Sequence, residues 1–352
     1  MASDRNIMES IDFKFELPKS LIAAYPLSER SASRLLVLNN ASKYPSDRRI
    51  RELPSLLDPG DLLIFNDTKV IPARLPARKK ISGGKVEIFV EKICSEISAL
   101  VRLKASKRPQ IGSTLLSDGD EELIVRDQVG EFFLVEMSSK GMFRDLLEVH
   151  GQIPLPPYIS RPEEPIDRSR YQTIFAETEG AVAAPTAGFH FDESLMQALE
   201  DRGVAREFIT LHIGSGTYQP VRNQLREHRM HSERYSVSES VCSAIEEAKK
   251  RESRIIAVGT TVARALESAA AQSGLIRSAD SETELFVTPG YKFRVIDMLL
   301  TNLHLPCSTL LMLVCAFGGY EKVMSAYEHA VASSYRFYSY GDAMLLQKDP
   351  AS

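Results

Sequence analysis

The stretch that decides the fold is RIIAVGTTVARALES, residues 254–268. Its first part is a short apolar run typical of a buried strand, its last part places apolar residues at helical spacing, and GTT joins the two. The neighbouring chain continues the alternation: SVCSAIEEAKKRES (240–253) predicts a helix, VIDMLLTN (295–302) a strand, and TLLMLVCAF (309–317) and EKVMSAYEHAVASSY (321–335) two more helices. We therefore expect a large α/β domain with a mixed, partly parallel sheet.

A different pattern occupies residues 70–150. The runs VEIFVEKI, ISALVRLKA, STLLS, ELIVRD and EFFLVEM are short and β-like, and clusters of Gly, Asp, Ser and Pro separate them. Short strands at regular spacing predict a small all-β barrel. We expect 1–69 and 151–352 to form one discontinuous α/β catalytic domain, with 70–150 inserted as the barrel. Near the start, the alternation in DFKFEL (12–17) predicts a short strand or an extended segment.

Composition is ordinary for a soluble globular protein, with 43% hydrophobic and 26% charged residues among 352. No apolar run is long enough for a membrane span, and the first residues, MASDRNIMES, lack the apolar core of a signal peptide. The four cysteines have no CxxC spacing, which favours free thiols in a reducing compartment. We therefore expect a cytoplasmic protein.

The formal net charge of −4 conceals a strong local asymmetry. Residues 69–112 contain eleven Lys or Arg against three Glu, whereas residues 113–150 contain nine acids against three bases. Such a basic block is either a solvated surface or a face that contacts phosphates. The sequence leaves both interpretations open at this point.

Small-residue loops follow several of the predicted strands. GAVAAPTAGFHF (180–191) and TLHIGSGTYQPV (210–221) each contain a histidine, and glycine-rich loops suit either turns or a ligand lying against backbone N–H groups. GTT (259–261), NLHLP (302–306) and the aromatic YRFYSYGDAML (335–345) are similar candidates. Loops that follow parallel strands meet at one edge of a sheet, which predicts one shared site. The alternative is a set of ordinary turns, helix caps and buried histidines.

Other chemistries find little support. His228, His231 and Glu233 suggest a metal site, and H-x-E resembles half of a zinc deaminase signature, but Cys315 lies too far from Cys307 to complete it. No G-x-S-x-G elbow and no Walker loop is present in the sequence, which argues against a serine hydrolase and a P-loop NTPase. We expect no bound metal.

Together these blocks, with GDLLIFNDTKVIPARL (60–75), PLPPYISRP (154–162) and HSERY (231–235), resemble the S-adenosylmethionine:tRNA ribosyltransferase-isomerase family of queuosine biosynthesis. The resemblance extends from about Asp12 to Leu345. Two positions depart from the family pattern: Val262, where serine is more usual, and Cys307, where a charged or polar residue is more usual.

The resemblance implies an unusual transfer. The ribosyl part of S-adenosylmethionine is joined to the aminomethyl group of 7-aminomethyl-7-deazaguanine at the tRNA wobble position. Adenine and methionine leave, and the sugar is rearranged to give epoxyqueuosine-tRNA. The resemblance also implies a monomer that has no metal and no permanently bound cofactor, with S-adenosylmethionine as co-substrate.

Side-chain chemistry then suggests roles within such a reaction. His190 and His212 are the leading candidates for proton transfer, with Asp342 as the third, because neutral imidazole exchanges protons near pH 7. Arg264 suits the methionine carboxylate or an RNA phosphate. The remaining residues expected at S-adenosylmethionine are Gly188, Phe189, Gly214, Gly216, Thr217, Tyr218, Thr260, Glu267 and His304.

The same resemblance implies that tRNA is the partner of the basic block. The residues expected to contact the anticodon-stem backbone are Arg74, Arg78, Lys79, Lys80, Lys104 and Lys107. Two other functions stay open: an α/β transferase acting on a small molecule, and an RNA-binding module without catalysis. Release of adenine and methionine from substrate tRNA would separate them.

Overall fold

The computed structural model describes residues 8–42, 44–214, 230–270 and 275–352. The first part of the chain contributes β1 (Arg34–Leu38), β2 (Ser46–Arg49), α1 (Leu53–Leu56), β3 (Leu62–Asn66) and β4 (Thr68–Val70). The barrel strands follow: β5 (Arg74–Lys79), β6 (Lys85–Ile93), β7 (Ser98–Lys104), β8 (Thr114–Ser117), β9 (Glu122–Val129) and β10 (Phe132–Met137).

The chain then returns to the larger body. Its elements there are α2 (Phe143–His150), α3 (Pro165–Arg170), β11 (Thr178–Ala181), α4 (Glu193–Asp201), β12 (Ala205–Leu211), β13 (Glu233–Val237), α5 (Glu239–Lys250), β14 (Ile255–Val258), α6 (Thr260–Ala270), β15 (Ala279–Thr283), β16 (Met298–Asn302), α7 (Thr309–Gly318), α8 (Tyr320–Ala332) and β17 (Ala343–Gln347).

Within the described residues, the main sheet has nine strands in the order β15-β13-β12-β3-β14-β16-β17-β1-β2. The central strands β12, β3, β14 and β16 are mutually parallel, while β17 runs antiparallel to β16. The prediction of a mixed, partly parallel sheet is confirmed. The predicted strands at 295–302 and 255–258 are β16 and β14, and both are buried throughout.

Alternating side chains of β3 explain why both faces of this sheet are covered. Leu62 and Ile64 belong to a core formed with α5, α6, α7 and α8, whereas Leu63 and Phe65 belong to a second core on the opposite face, formed with α1 and α4. A strand buried on both faces has a continuous apolar sequence, as LLIF does. Burial of each large apolar side chain contributes about 1.5–3 kcal/mol to folding.

The expected barrel is present and closed, in the order β10-β7-β6-β5-β8-β9. Residues in β7 and β10 alternate between partly exposed and buried positions, and the buried set, including Val101 and Val135, fills the interior. Closure pairs every strand on both sides, so no barrel edge is left open. Strand β5 lies within the basic block. The sequence pattern did not predict a strand at these residues.

DFKFEL does not form a paired strand. A 3-10 helix spans Ser10–Phe13 instead, and the following residues are extended without strand pairing. Phe13 packs edge-on against Tyr320, and Phe15 packs against Tyr327. The aromatic alternation therefore serves contacts with α8 and not a sheet face.

Two further findings bear on the class of protein. Within the described ranges no helix combines the length and apolar character that crossing a membrane requires. The four cysteines are free thiols.

Candidate active site

Polar loops gather at one edge of the main sheet. Because β12, β3, β14 and β16 are parallel, the segments that follow them leave from the same edge. Strand β17 runs the opposite way, so the segment that precedes it, Tyr338–Asp342, reaches that edge too. The expected meeting of the loops is confirmed.

A pocket of about 590 Å³, part of it open to solvent, lies between these loops. It is referred to below as the first pocket. Thr260 and His304, both expected at S-adenosylmethionine, line it. Thr186, Asn302, Tyr338 and Ser339 line it from loops that the sequence singled out, whereas Tyr158 and Thr301 were not expected there.

Asn302 holds three of the loops together. Its Oδ1 accepts from Thr186 Oγ1 at 3.3 Å, and its Nδ2 donates to the carbonyl of Tyr338 at 3.0 Å. Asn302 itself is only 2% exposed. A buried amide with both ends bonded fixes the relative positions of its partners, so the first pocket has a defined shape.

His304 is a buried, neutral histidine at the edge of the first pocket. Its Nε2 lies 2.9 Å from Thr301 Oγ1, and its backbone N–H donates to Tyr327 Oη at 3.0 Å. Burial lowers the pKa of His304 to about 3. The ring is therefore uncharged at neutral pH and is suited to hydrogen bonding with a ligand.

A second, larger pocket lies between the barrel and the sheet. It encloses about 1180 Å³, including open solvent, and Ile213 lines both this pocket and the first. Its large-domain side carries His212, Gly214 and Glu233. Barrel residues Glu91, Lys92, Ile93 and Leu100 form the opposite side. Two cavities thus adjoin on either side of one residue.

His212 is held in a defined orientation within the second pocket. Its Nδ1 lies 2.8 Å from Thr68 Oγ1. Gly180 lies against the ring: a Cβ there would come within 2.9 Å of His212 Nδ1, and its φ of +148° suits glycine. Gly180 sits at an irregularity in the β4–β11 pairing, where a glycine bulge lets another group approach. Burial, with a smaller effect from Arg234, lowers the pKa of His212, so the ring is neutral near pH 7.

Asn66, at the end of β3, was missed by the sequence analysis. Its Oδ1 accepts from the backbone N–H of Leu211 at 3.0 Å and of Thr68 at 3.2 Å, and its Nδ2 donates to the Leu211 carbonyl at 3.0 Å. It therefore joins the segments that carry Thr68 and His212. A polar NDT directly after the buried LLIF strand was the available signal.

His190 lines neither the first nor the second pocket. It is 2% exposed and lines a third pocket with Arg30, Arg170 and Phe189. Burial lowers the pKa of His190 to about 4, with smaller lowering by Arg30 and Arg336. The two histidines therefore line different pockets, although their segments touch through the Val182 N–H and the Ile213 carbonyl at 3.0 Å.

Three charged residues expected at substrate are engaged inside the protein. Arg264 pairs with Glu233 through Nη1 and donates from Nε to the Leu285 carbonyl at 3.0 Å. Glu267 accepts from the N–H groups of residues 294–296, and Asp342 from those of residues 34 and 336. Burial raises the pKa of both carboxyls. These groups hold loops in place, and their direct contacts with substrate stay predictions.

The other expected contacts are placed as follows. Gly214 N–H donates to Glu233 Oε1 at 3.3 Å, and Gly188 packs against Thr173 and Phe175. Gly216, Thr217 and Tyr218 lie outside the described residues, as does His228. Val262 is fully buried in the main core, and Cys307 has a positive φ of 57° and donates its N–H to the Phe13 carbonyl. Over the described ranges, no group of three or more His, Cys, Asp or Glu side chains is arranged to hold a metal ion.

The basic block is partly neutralised by the acidic block. Arg78 pairs with Asp120 at 2.6 Å, Lys80 pairs with Glu122, and Arg102 pairs with Glu131 at 3.1 Å, whereas Arg74 Nε lies 3.8 Å from Glu87 of the basic block itself. Pairing of β5 with β8, which leads into β9, brings the oppositely charged segments together. Exposed Lys104 and Lys107 have no ion pair with the described residues, and Lys79 Nζ donates to the Lys107 carbonyl. Contact of this face with RNA stays a prediction.

These features define an α/β protein with a polar pocket at the carboxyl edge of its parallel strands and an accessory closed barrel beside a second cavity. The chain belongs to the family described as queuosine biosynthesis protein, whose model matches residues 10–346.

Similar proteins match this chain over nearly its full length. The chain is 51% identical to the S-adenosylmethionine:tRNA ribosyltransferase-isomerase of Xanthomonas euvesicatoria pv. vesicatoria, over 96% of this chain and 97% of the relative. It is 50% identical to the enzyme of that name from Coxiella burnetii, over 97% and 99%. A crystal structure of S-adenosylmethionine tRNA ribosyltransferase from Thermotoga maritima matches with a TM-score of 0.54 and 33% identity, over 95% of this chain and 99% of that one.

Proposed function

We propose that this protein is a transferase that moves the ribosyl group of S-adenosylmethionine onto 7-aminomethyl-7-deazaguanine at the tRNA wobble position and isomerises it. The product is epoxyqueuosine-tRNA, with adenine and methionine released. The observation that carries the proposal is the convergence of the family's sequence blocks: AAPTA, GTT, TNLH and YS line one pocket. Relatives of the same name, about 50% identical over almost the whole chain, support the substrates.

Two adjoining cavities suit a reaction with two substrates. S-adenosylmethionine occupies the first pocket, where Thr260 and the Asn302 network offer polar contacts and the rings of Tyr158 and Tyr338 offer faces for a sulfonium. The modified base enters through the second pocket, at the junction with the barrel. Phe189 packs against Tyr171 and Tyr340 in a core, so the tyrosine pair is better placed than Phe189 for the cation.

His212 is the leading proton acceptor in this proposal. Protons next to a sulfonium are acidified, and the incoming amine must lose its charge before it attacks. A neutral imidazole meets both needs near pH 7, and the depressed pKa of His212 keeps it neutral. His190 is separated in the third pocket, so we assign it a smaller part in proton transfer than His212.

The proposal extends to how the enzyme works. It acts as a cytoplasmic monomer, needs no permanently bound cofactor or metal, and uses barrel lysines to contact tRNA. Light scattering at micromolar concentration tests the oligomeric state, and turnover after exhaustive chelation tests the metal requirement.

The deciding experiment combines the protein, S-adenosylmethionine and tRNA that carries the precursor base. We expect adenine and methionine to appear in equal amounts, together with a modified tRNA. His212→Ala and His190→Ala are compared with His329→Ala on α8, away from the pockets; we expect His212→Ala to lose most turnover and the control to keep it. Retention of turnover by both pocket variants contradicts the histidine assignment. RNA binding without adenine release indicates a binding module, and turnover without RNA indicates a small-molecule enzyme.

A further inference from the structure

Three partly buried arginines lack a carboxylate partner and lie in one region. Among described arginines that are partly or fully buried, six form ion pairs: Arg34, Arg74, Arg102, Arg161, Arg254 and Arg264. Arg30, Arg170 and Arg336 do not have a carboxylate within 4 Å in that part of the chain. Arg30 and Arg170 line the third pocket, and Arg336 is close enough to lower the pKa of His190, which also lines it.

Neutral carbonyl groups hold these arginines in place. Arg30 donates to the carbonyls of Phe189 and Gln172, at 3.2 and 2.9 Å. Arg170 donates to those of Ser28 and Leu27, at 3.1 and 2.7 Å. These bonds fix the guanidinium groups without neutralising them, and they use only some of the five N–H donors that each group carries.

Unused polar atoms remain at the third pocket. Arg170 Nε, Arg336 Nη1 and His190 Nε2 are buried without a hydrogen-bond partner among the described residues. A buried donor left unpaired destabilises the folded protein. That destabilisation is relieved when a ligand supplies the acceptor, and two guanidinium groups favour an anion.

We propose that the third pocket binds a phosphodiester of the tRNA substrate. The inference rests on the proposed function, which brings the RNA to this edge of the sheet and gives S-adenosylmethionine the first pocket. Ser339 lines both the first and the third pocket, so an anion in the third lies next to the reaction site. S-adenosylmethionine offers one carboxylate beside two cationic groups, a sulfonium and an ammonium, which guanidinium donors repel, whereas RNA presents a row of phosphates.

Nearby acids do not fill this role. Glu29 lies on the exposed rim of the pocket, and Asp192 and Glu193 act on Arg30 from a distance. Asp192 accepts from the backbone N–H groups of Ser31 and Leu195, which occupies its oxygens. The arginines therefore keep donors available for an incoming anion.

Arg170 gives the sharpest test because its Nε has no partner. Binding of an anticodon stem–loop RNA is measured by fluorescence anisotropy between 50 and 300 mM salt, without S-adenosylmethionine. We expect Arg170→Gln to weaken binding about tenfold and to reduce the slope of log K against log salt by about 0.7–0.9, the value for one lost phosphate contact. Arg170→Lys, which keeps the charge, should retain the slope. Arg168→Gln is the matched control, since Arg168 lies on the same helix and pairs with Glu163.

Two outcomes overturn the proposal. One is an Arg170→Gln variant with an unchanged slope and unchanged affinity. The other is an unchanged RNA affinity with a raised KM for S-adenosylmethionine, which assigns the pocket to the methionine carboxylate. Melting temperatures of all variants show whether a loss of binding comes from unfolding. RNA binding is measured without turnover, so the two proposals can fail separately. If the wild-type protein binds RNA through Arg170 but releases no adenine, the anion site stands and only the proposed function is contradicted.

Discussion

The hydroxyl of Thr68 lies 2.8 Å from Nδ1 of His212, and the same oxygen lies 3.4 Å from the Thr178 carbonyl. A hydroxyl that donates to the carbonyl accepts from Nδ1–H of the imidazole. That arrangement leaves a lone pair on Nε2 of His212.

Removing this hydroxyl tests the tautomer. We expect Thr68→Val to lower kcat about tenfold, because the neutral ring is then free to place its proton on either nitrogen, and to leave KM for S-adenosylmethionine unchanged. Thr173→Val is the control, since the Thr173 hydroxyl is buried without a partner among the described residues. Steady-state kinetics on both variants distinguish the effect from a general loss of packing. Equal kcat for the two variants contradicts a positioning role for Thr68.

Gly180 provides a steric test of the same ring. A methyl group at Gly180 would meet His212 at 2.9 Å, so we expect Gly180→Ala to displace the imidazole and reduce kcat. Gly290→Ala is the matched control: Gly290 also has a positive φ, +99°, but nothing lies within 4 Å of an added Cβ. Both variants carry backbone strain and should lose some stability. Only Gly180→Ala should also have a lower kcat, measured at a temperature where both variants are folded.

The buried Arg264–Glu233 pair is predicted to contribute to stability. Arg264→Met removes the buried guanidinium from the Glu233 carboxylate, which should lower the free energy of unfolding by about 3–5 kcal/mol. The double variant Arg264→Met with Glu233→Leu should recover part of that loss. Asp280→Asn, which breaks the exposed and solvent-screened Arg234–Asp280 pair, should lower the free energy of unfolding far less. Urea unfolding measures all of them. A raised KM for S-adenosylmethionine with normal stability would instead support direct substrate contact by Arg264.

His304 predicts an acid dependence of stability. Its folded-state pKa of about 3 lies below the ordinary 6.5, so the unfolded chain takes up the proton first. The stabilisation is complete above about pH 6.5 and is lost as the pH falls towards 3, by about 1.4 kcal/mol per pH unit. Unfolding at pH 7 and pH 5 should show a smaller acid loss, by about 2 kcal/mol, in His304→Gln than in the wild type. Identical losses would contradict the depressed pKa.

The barrel lysines offer a test of the expected RNA face. We expect Lys104→Gln with Lys107→Gln to weaken tRNA binding and to flatten its salt dependence, because these exposed ammonium groups lack ion pairs with described residues. Lys322 lies on α8 and its charge pairs with Asp349. Lys322→Gln should therefore change neither the affinity for tRNA nor its salt dependence. An unchanged salt slope in the double variant places the footprint elsewhere.

Sequence periodicity was sufficient for the main elements. The buried runs LLIF and IIAV form β3 and β14, and the alternating runs after residue 85 form barrel strands, because period and burial are local properties of a strand. The alternation in DFKFEL did not distinguish a paired strand from an extended segment, because aromatic alternation also suits contacts with helices and a local pattern does not identify the partner.

The site was less accessible to sequence reasoning. The meeting of GTT and NLHLP followed from parallel strands, but the pairing of Arg264 with Glu233, 31 positions apart, depends on tertiary contacts. His190 and His212 are close in sequence, yet the fold places them in different pockets. Charge counts along the chain likewise concealed the ion pairs of Arg78 with Asp120 and of Lys80 with Glu122.

The irregular pairing of β4 with β11 has a mechanical consequence. Strand β4 leads directly into the barrel, and Glu179 of β11 contacts both Lys69 of β4 and Arg144 of α2, the helix that follows the barrel. Thr68 and Gly180, which hold His212, lie in these same two strands. The barrel is therefore tied through β4, β11 and α2 to the two strands that hold the imidazole of His212, so any displacement of the barrel and the orientation of this ring are mechanically linked.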